Sequence, residues 1–276
     1  MSYKLLLCLL SLGAAMNSSS QEQPIIGQYN EELINILGYM NGVNFLSQGG
    51  TERIDFMVNG INLSNKKILD VGCGVGGPAL YLADRYNAFV YGVDVDPFLV
   101  RQAQANGQKA KHPDKVSFHL IEPNKLFFGN NYFDVIFSKE AIVHSKNKFH
   151  LFIELYRVLK PGGVIIIMDW FKDSNKESPE LKLTLEIDKL VMNYVGIKPY
   201  CDLLKSVGFK NVEYIETSDL HLKDTKNDYK RLHTEKEQFT EKFGQKTFEE
   251  SLATWKAHIE ILERKEVTTF LIKATK

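Results

Sequence analysis

Residues 66–77 read Lys-Lys-Ile-Leu-Asp-Val-Gly-Cys-Gly-Val-Gly-Gly, a strand that ends at an acid and runs into a glycine turn. Ile68, Leu69 and Val71 suit a strand buried on both faces, which reads as a short continuous apolar run. Gly72, Gly74, Gly76 and Gly77 let the backbone turn tightly and let a ligand approach it closely. Ala79 to Ala83 then open a helix. Asp70 stands at the carboxyl end of the strand, where open α/β sheets bind ligands. A second acid, Asp94, closes the next apolar run, Ala88 to Val93, in the position that takes the ribose hydroxyls of an adenosine. Each glycine weakens a helix start by about 1 kcal/mol, which argues against a turn that holds no ligand.

The string Gly72-x-Gly74-x-x-Gly77 also matches the nicotinamide dinucleotide fingerprint. The acid ahead of the glycines separates the two readings. A pyrophosphate wants bare backbone N–H groups at a helix N-terminus and no negative charge beside it. Asp70 repels such a group and suits a cationic aminoacyl group. S-adenosylmethionine carries an ammonium and a sulfonium and no phosphate, so it is the expected cofactor.

The chain has 276 residues, enough for one large domain or one domain with a cap. Its 34 basic and 34 acidic residues cancel, so nothing electrostatic points to nucleic acid. Cys8, Cys73 and Cys201 are far apart, and no Cys/His spacing suggests zinc or a disulfide frame. No metal is expected. Lys4 precedes the apolar run Leu5–Met16 and a serine tract, the shape of a short secretory signal or apolar anchor at residues 1–16. That run is too short to span a bilayer as a helix. The expectation is a cytoplasmic monomer, with the leader, residues 1–23, left open between those readings.

Residues 24–276 read as one domain. Residues 21–28 look like a linker, and Leu33, Ile34 and Leu37 give 29–39 the spacing of an amphipathic helix. A second helix runs through Met57, so residues 29–59 form N-terminal lid helices. Strands are expected near 67–71, 88–93, 116–121, 132–137 and 163–169, with helices near 77–86, 97–109 and 146–159 between them. This alternation predicts an α/β fold: a doubly wound, mostly parallel seven-stranded sheet with an antiparallel last strand, Rossmann-like, with a helical cap. Leu159-Lys-Pro-Gly-Gly163 ends a helix and leads into a β-prone run. A helix near 198–206 precedes strands at 212–215 and 267–272. Between these strands, about 218–265 reads as a charged helical insert whose charges are mostly a solvated face.

Ile-Leu-Asp-Val-Gly-Cys-Gly, Gly-Val-Asp94, the segment Phe133 to His144 and Leu-Lys-Pro-Gly-Gly together resemble the class I S-adenosylmethionine-dependent methyltransferases over residues 60–276. Gln28-Tyr29, Asn44-Phe-Leu-Ser-Gln-Gly-Gly50, Ser138-Lys-Glu-Ala-Ile-Val-His144 and Ile272-Lys-Ala-Thr-Lys276 look more closely like the phosphoethanolamine methyltransferases of protozoa and nematodes. That resemblance implies a Tyr29–His144 dyad over the amine. It implies that Asp94 holds the ribose, Glu122 the adenine amino group, and Leu46 and Ser47 the lid. It adds Val95, Pro123 and Lys139 to Asp70, Gly72 and Gly74 as cofactor contacts. The phosphate-binding pattern departs from the family: Trp170 replaces a tyrosine, the helix around Leu181 to Tyr194 lacks an arginine, and His258 or Lys256 stands near the usual lysine. Residues 187–204 look more like the sarcosine and dimethylglycine methyltransferases.

Methyl transfer to nitrogen needs orientation and a base for the ammonium proton. His144, just past the fourth strand, suits the base; the competing reading is a core histidine. Tyr29 suits a lid contact or an aromatic staple. Glu140 suits attraction of the cationic amine or a plain surface carboxylate. Trp170 and Tyr194 suit cation–π contact or ordinary packing. Cys73 reads as a packing residue. The expected activity is N-methylation of a small amine, phosphoethanolamine or its methylated forms. The alternatives are a glycine, sarcosine or dimethylglycine methyltransferase and, from other classes, a nicotinamide dehydrogenase or a non-catalytic cofactor-binding module.

Overall fold

The computed structural model describes residues 29–276 other than residue 189. The expected leader, the linker and Gln28 lie outside the described residues. Seven strands form one sheet: β1 (Lys67–Val71), β2 (Phe89–Asp94), β3 (Val116–Leu120), β4 (Phe133–Lys139), β5 (Leu159–Phe171), β6 (Lys210–Glu216) and β7 (Thr268–Thr275). Their order is β3-β2-β1-β4-β5-β7-β6. The first five are parallel, and β7 runs antiparallel to both β5 and β6. The Rossmann-like expectation holds. The chain order reverses beside β1, which sets a crevice at the carboxyl ends of β1 and β4, where such sheets bind ligands.

The central strands are apolar without a break because both faces are covered. Val135 and Phe137 of β4, with Ile166 and Met168 of β5, face the helices α2 (Gly50–Val58) and α3 (Gly77–Tyr86), against Ile54, Met57, Ala79 and Leu82. The alternate residues, Ile136, Ile165 and Ile167, face α5 (Lys148–Val158) and α7 (Ile197–Val207). The remaining helices in chain order are α1 (Glu31–Asn41), α4 (Pro97–Gln108), α6 (Pro179–Asp188), α8 (Ser218–Thr234), α9 (Lys236–Phe243) and α10 (Gln245–Glu263). Edge strand β6 is mostly exposed and carries Lys210, Glu213 and Glu216, charges that discourage edge pairing.

Three boundaries differ from expectation. Tyr29 precedes α1 instead of lying on it, because Asn30 caps the helix by accepting the Leu33 N–H. β5 begins at Leu159, since the residue ahead of Pro161 avoids the helical region. α6 stops at Asp188, short of the expected Tyr194. Beyond it the chain is held by tertiary hydrogen bonds: Asn193 N–H donates to Val143 O, and Lys148 Nζ to Asn193 O.

Phe152 is fully buried on α5 and meets the Tyr200 ring edge-on at 5.1 Å. Phe152→Ala should cost about 3–5 kcal/mol in chemical denaturation, the range for emptying a buried aromatic site.

Candidate active site

A cavity of about 280 Å³ opens at the carboxyl ends of β1, β2 and β4. Its floor is the glycine turn. Gly72 has φ +72°, and a Cβ there would sit 2.2 Å from the Ala141 Cβ. Gly74 has φ +55°, and its Cβ would strike Leu46 of the lid loop at 2.8 Å. These two positions therefore require glycine, both for the backbone and for the close approach of the loops above.

Asp94 lines the cavity, buried at the end of β2. Its Oδ2 accepts the Gly74 N–H at 2.9 Å and its Oδ1 the Asp96 N–H at 3.0 Å. The carboxylate is thus locked to the glycine turn. Burial pushes its pKa up, and those N–H bonds oppose the rise. Asp70 lies beneath the turn, 1% exposed, and its Oδ2 has no hydrogen-bond partner. Burial, then the Asp94 charge, pushes the Asp70 carboxyl up to about 7. An orphaned carboxyl oxygen under a glycine cradle fits a cationic ligand.

Glu140 follows β4 with φ +55°, a left-handed backbone that costs a non-glycine residue about 1 kcal/mol. Its side chain is held from three sides. Lys139 Nζ donates to Oε1 at 2.8 Å, His221 Nε2 to the same oxygen at 3.2 Å, and Trp170 Nε1 to Oε2 at 3.0 Å. Burial alone would raise this carboxyl; Lys139 and His221 outweigh it and hold it well below the usual carboxylate range. Lys139 also donates to Ser47 Oγ, which ties the lid loop to β4.

His144 closes a short 3-10 turn, Ile142–His144, on the cavity wall. Its Nδ1 donates to Val191 O at 2.8 Å. A carbonyl only accepts, so the neutral ring carries its proton on Nδ1 and keeps a lone pair on Nε2. Burial lowers its pKa below the ordinary 6.5, so the ring is neutral at pH 7. Tyr29 lines the same cavity, and burial pushes its hydroxyl far up. No hydrogen bond joins Tyr29 to His144 among the described residues.

Leu46, Ser47, Gly72, Gly74, Asp94, Val95, Pro123, Lys139, Glu140, His144, Tyr29 and Trp170 therefore share one cavity. Five expected residues lie elsewhere. Asp70 sits below the floor. The Glu122 side chain is 72% exposed and pairs with Lys125 at 2.8 Å, turned to solvent because the Glu122–Lys125 bridge makes a local hairpin. Lys256 lies on the exposed face of α10. His258, two positions on, points inward, stacks on Trp170 at 6.4 Å and stands 3.8 Å from Asp188. Tyr194 packs with Trp170 and Leu185 against Leu181 and Ile261.

The charge density of the insert predicts a mostly solvated face, but one face of α8 turns inward. Asp224 pairs with Arg53 of α2 at 2.7 Å, and Asp228 and Thr225 both bond Gln48. Arg231 reaches Met40 O at 2.6 Å. His221, Asp224, Thr225, Asp228 and Arg231 recur every three to four residues, a polar stripe that spacing alone would have revealed. It clamps the N-terminal lid.

The methyltransferase domain family matches residues 69–167. The Plasmodium falciparum phosphoethanolamine N-methyltransferase is 30% identical over 252 residues, covering 90% of this chain and 93% of that protein. This chain belongs to the phosphoethanolamine N-methyltransferase family. Phosphoethanolamine N-methyltransferase 3 of Arabidopsis thaliana is 31% identical, covering 79% of this chain but only 44% of that protein. The Haemonchus contortus phosphoethanolamine N-methyltransferase 2, solved with phosphomonomethylethanolamine and S-adenosylhomocysteine, superposes with a TM-score of 0.84 at 25% identity, over 90% of this chain and 58% of that one. The enzyme is an S-adenosylmethionine-dependent methyltransferase. The cavity suits that cofactor: Asp94, Asp96 and Glu140 outnumber Lys139 among its lining charges, and Asp70 is buried beneath the turn.

Asp94→Ala should weaken S-adenosylhomocysteine in calorimetry by about 1.5–3 kcal/mol, the loss of a charged acceptor. Asp70 holds its proton more tightly in the folded cofactor-free protein than in the unfolded chain, because burial and then the Asp94 charge disfavour its ionised form. Its contribution to stability is full below about pH 4 and lost as pH rises through about 7. Asp70→Asn should therefore raise the cofactor-free Tm at pH 8 more than at pH 5, while weakening cofactor binding.

Proposed function

We propose that the enzyme methylates the nitrogen of a small amine, phosphoethanolamine or its methylated forms, and that His144 is the base. The observation that carries this is the Nδ1–H donated to Val191 O, which leaves a neutral imidazole with its Nε2 lone pair on the cavity wall. Bound S-adenosylmethionine supplies the electrophilic methyl on its sulfonium. Asp94 would hold the ribose hydroxyls, and Asp70 supplies negative charge for the ammonium end. Glu140 and Trp170 then form a wall for the acceptor: a carboxylate for the ammonium and an indole face for methyl groups already attached. Nε2 of His144 takes the proton that the ammonium must lose before nitrogen can attack. Tyr29 closes the site from the N-terminal side and excludes water.

A second reading rests on the charges. Lys139 is the one lysine or arginine among the described cavity residues, and Glu140 and Ser47 engage it. Burial pulls His258 down to about 4, so it is neutral at pH 7, and Lys256 faces solvent. A phosphate dianion would find no guanidinium fork here. This favours an acceptor whose tail bears less charge, such as glycine, sarcosine or dimethylglycine. A radiolabelled methyl-transfer screen separates the two. Phosphoethanolamine is expected to saturate poorly; a low KM that survives both His258→Ala and Lys256→Ala would show the phosphate held elsewhere.

His144→Ala should cut kcat by about 10²–10⁴-fold with little change in cofactor affinity. Tyr29→Phe should lose less, and the double variant less than the sum, if the two act as a unit. Because burial depresses the His144 pKa, the acidic limb of kcat should fall below pH 6.5 and vanish in His144→Ala, with partial rescue at high pH. A stable His144→Ala variant of full activity would remove the mechanism.

A further inference from the structure

Glu140 cannot orient itself. Its backbone is left-handed and its carboxylate is buried, so the donors around it set its direction. The group that fixes it from behind is His221, fully buried near the start of α8. His221 Nδ1 lies 3.1 Å from Arg53 Nη1 and 2.9 Å from Thr269 Oγ1. A guanidinium only donates, so Nδ1 must be the acceptor. The Thr217 carbonyl, 3.4 Å from Nδ1, already accepts two backbone N–H groups, those of Leu220 and His221, one for each lone pair. The remaining proton is therefore on Nε2, and it points at Glu140 Oε1. Arg53 is itself buried and neutralised by Asp224, one turn along α8 from His221.

We infer that Arg53 and His221 form a relay that positions Glu140 for the acceptor nitrogen: Arg53 of the lid helix dictates the His221 tautomer, and that tautomer supplies the hydrogen bond that aims the carboxylate. With Lys139 and His221 both on Oε1, Oε2 accepts from Trp170 and keeps a lone pair for the ammonium of the acceptor. The opposite tautomer would set the Nε2 lone pair against the carboxylate and push it out of place. His221 is a positioning residue; it touches neither cofactor nor acceptor. The relay runs from α2 through α8 to the end of β4, so acceptor binding depends on the lid helix being docked.

This inference rests on Glu140 facing the acceptor nitrogen, and the tests keep the two apart. The decisive pair is His221→Gln and His221→Asn. Both are amides of similar cost to the fold, but only glutamine carries its N–H out to the position of Nε2; asparagine reaches no farther than Nδ1. His221→Asn should raise the acceptor KM tenfold or more, and His221→Gln should stay within about threefold of the parent. S-adenosylhomocysteine affinity should be unchanged within about twofold in both. Nitrogen-15 NMR of the histidine-labelled enzyme should show His221 as the Nε2–H tautomer. Equal acceptor KM values for the two amides, or an Nδ1–H tautomer, would overturn the relay. Glu140→Gln reports on the premise: an unchanged acceptor KM there overturns both, whereas a raised KM with indistinguishable amide variants overturns the relay alone.

Discussion

A carboxylate taken out of water must have each charge and lone pair matched, or the fold loses several kcal/mol. Glu140 is such a carboxylate, and much of the molecule is arranged around it. Lys139 precedes it on β4, Trp170 comes from the neighbouring β5, and His221 comes from an insert about 80 residues later. Its backbone amide donates to Met168 O at 2.7 Å, which anchors the left-handed turn to β5. Strand pairing sets β4 beside β5, so Lys139 and Trp170 follow from the sheet. The third donor requires α8 to lie across the lid, and that requirement ties the insert to the catalytic end of the sheet.

The same interaction explains the polar stripe of α8. Pairing Glu140 with His221 calls for Arg53, Arg53 calls for Asp224, and the next turns of the helix continue with Thr225 and Asp228 on Gln48 and Arg231 on Met40. Beneath this clamp the apolar contacts of Met40, Leu232, Phe239 and Trp255 add burial. The lid loop bearing Leu46 and Ser47 is thus held over the glycine turn from above by α8 and from below by Lys139. A site that excludes water strengthens the charges that orient the reactants.

Electrostatically the cavity is divided. One end, Asp94 with Asp70 beneath, suits the cationic cofactor. The middle, Glu140 and Trp170, suits an ammonium. His144, whose pKa burial lowers, stands on the wall as the proposed acceptor of the proton. The departure from the family pattern lies behind Trp170, outside the cavity lining, where the His258 ring stacks on the indole and stands 3.8 Å from Asp188.

Much of the fold and part of the site are legible in the amino-acid sequence because they rest on local chemistry. Strand β1, its glycine turn, Asp94 and the α/β alternation are written in short-range patterns: apolar runs, glycines at fixed offsets and acids at strand ends. The family resemblance adds Tyr29 and His144, and the chemistry of the side chains adds Glu140 and Trp170; the fold brings all four to one cavity. What tertiary structure alone decided is which side chains far apart in sequence meet, and which way they face. Glu122 turns to solvent because a local bridge with Lys125 claims it; Lys256 and His258, two residues apart on one helix, take opposite faces, since successive positions differ by about 100°. α6 ends early because tertiary hydrogen bonds capture Asn193. Arg53 and His221 are 168 residues apart, and neither carries a motif. Their pairing arises only when a buried charge needs a partner and the fold places one within reach.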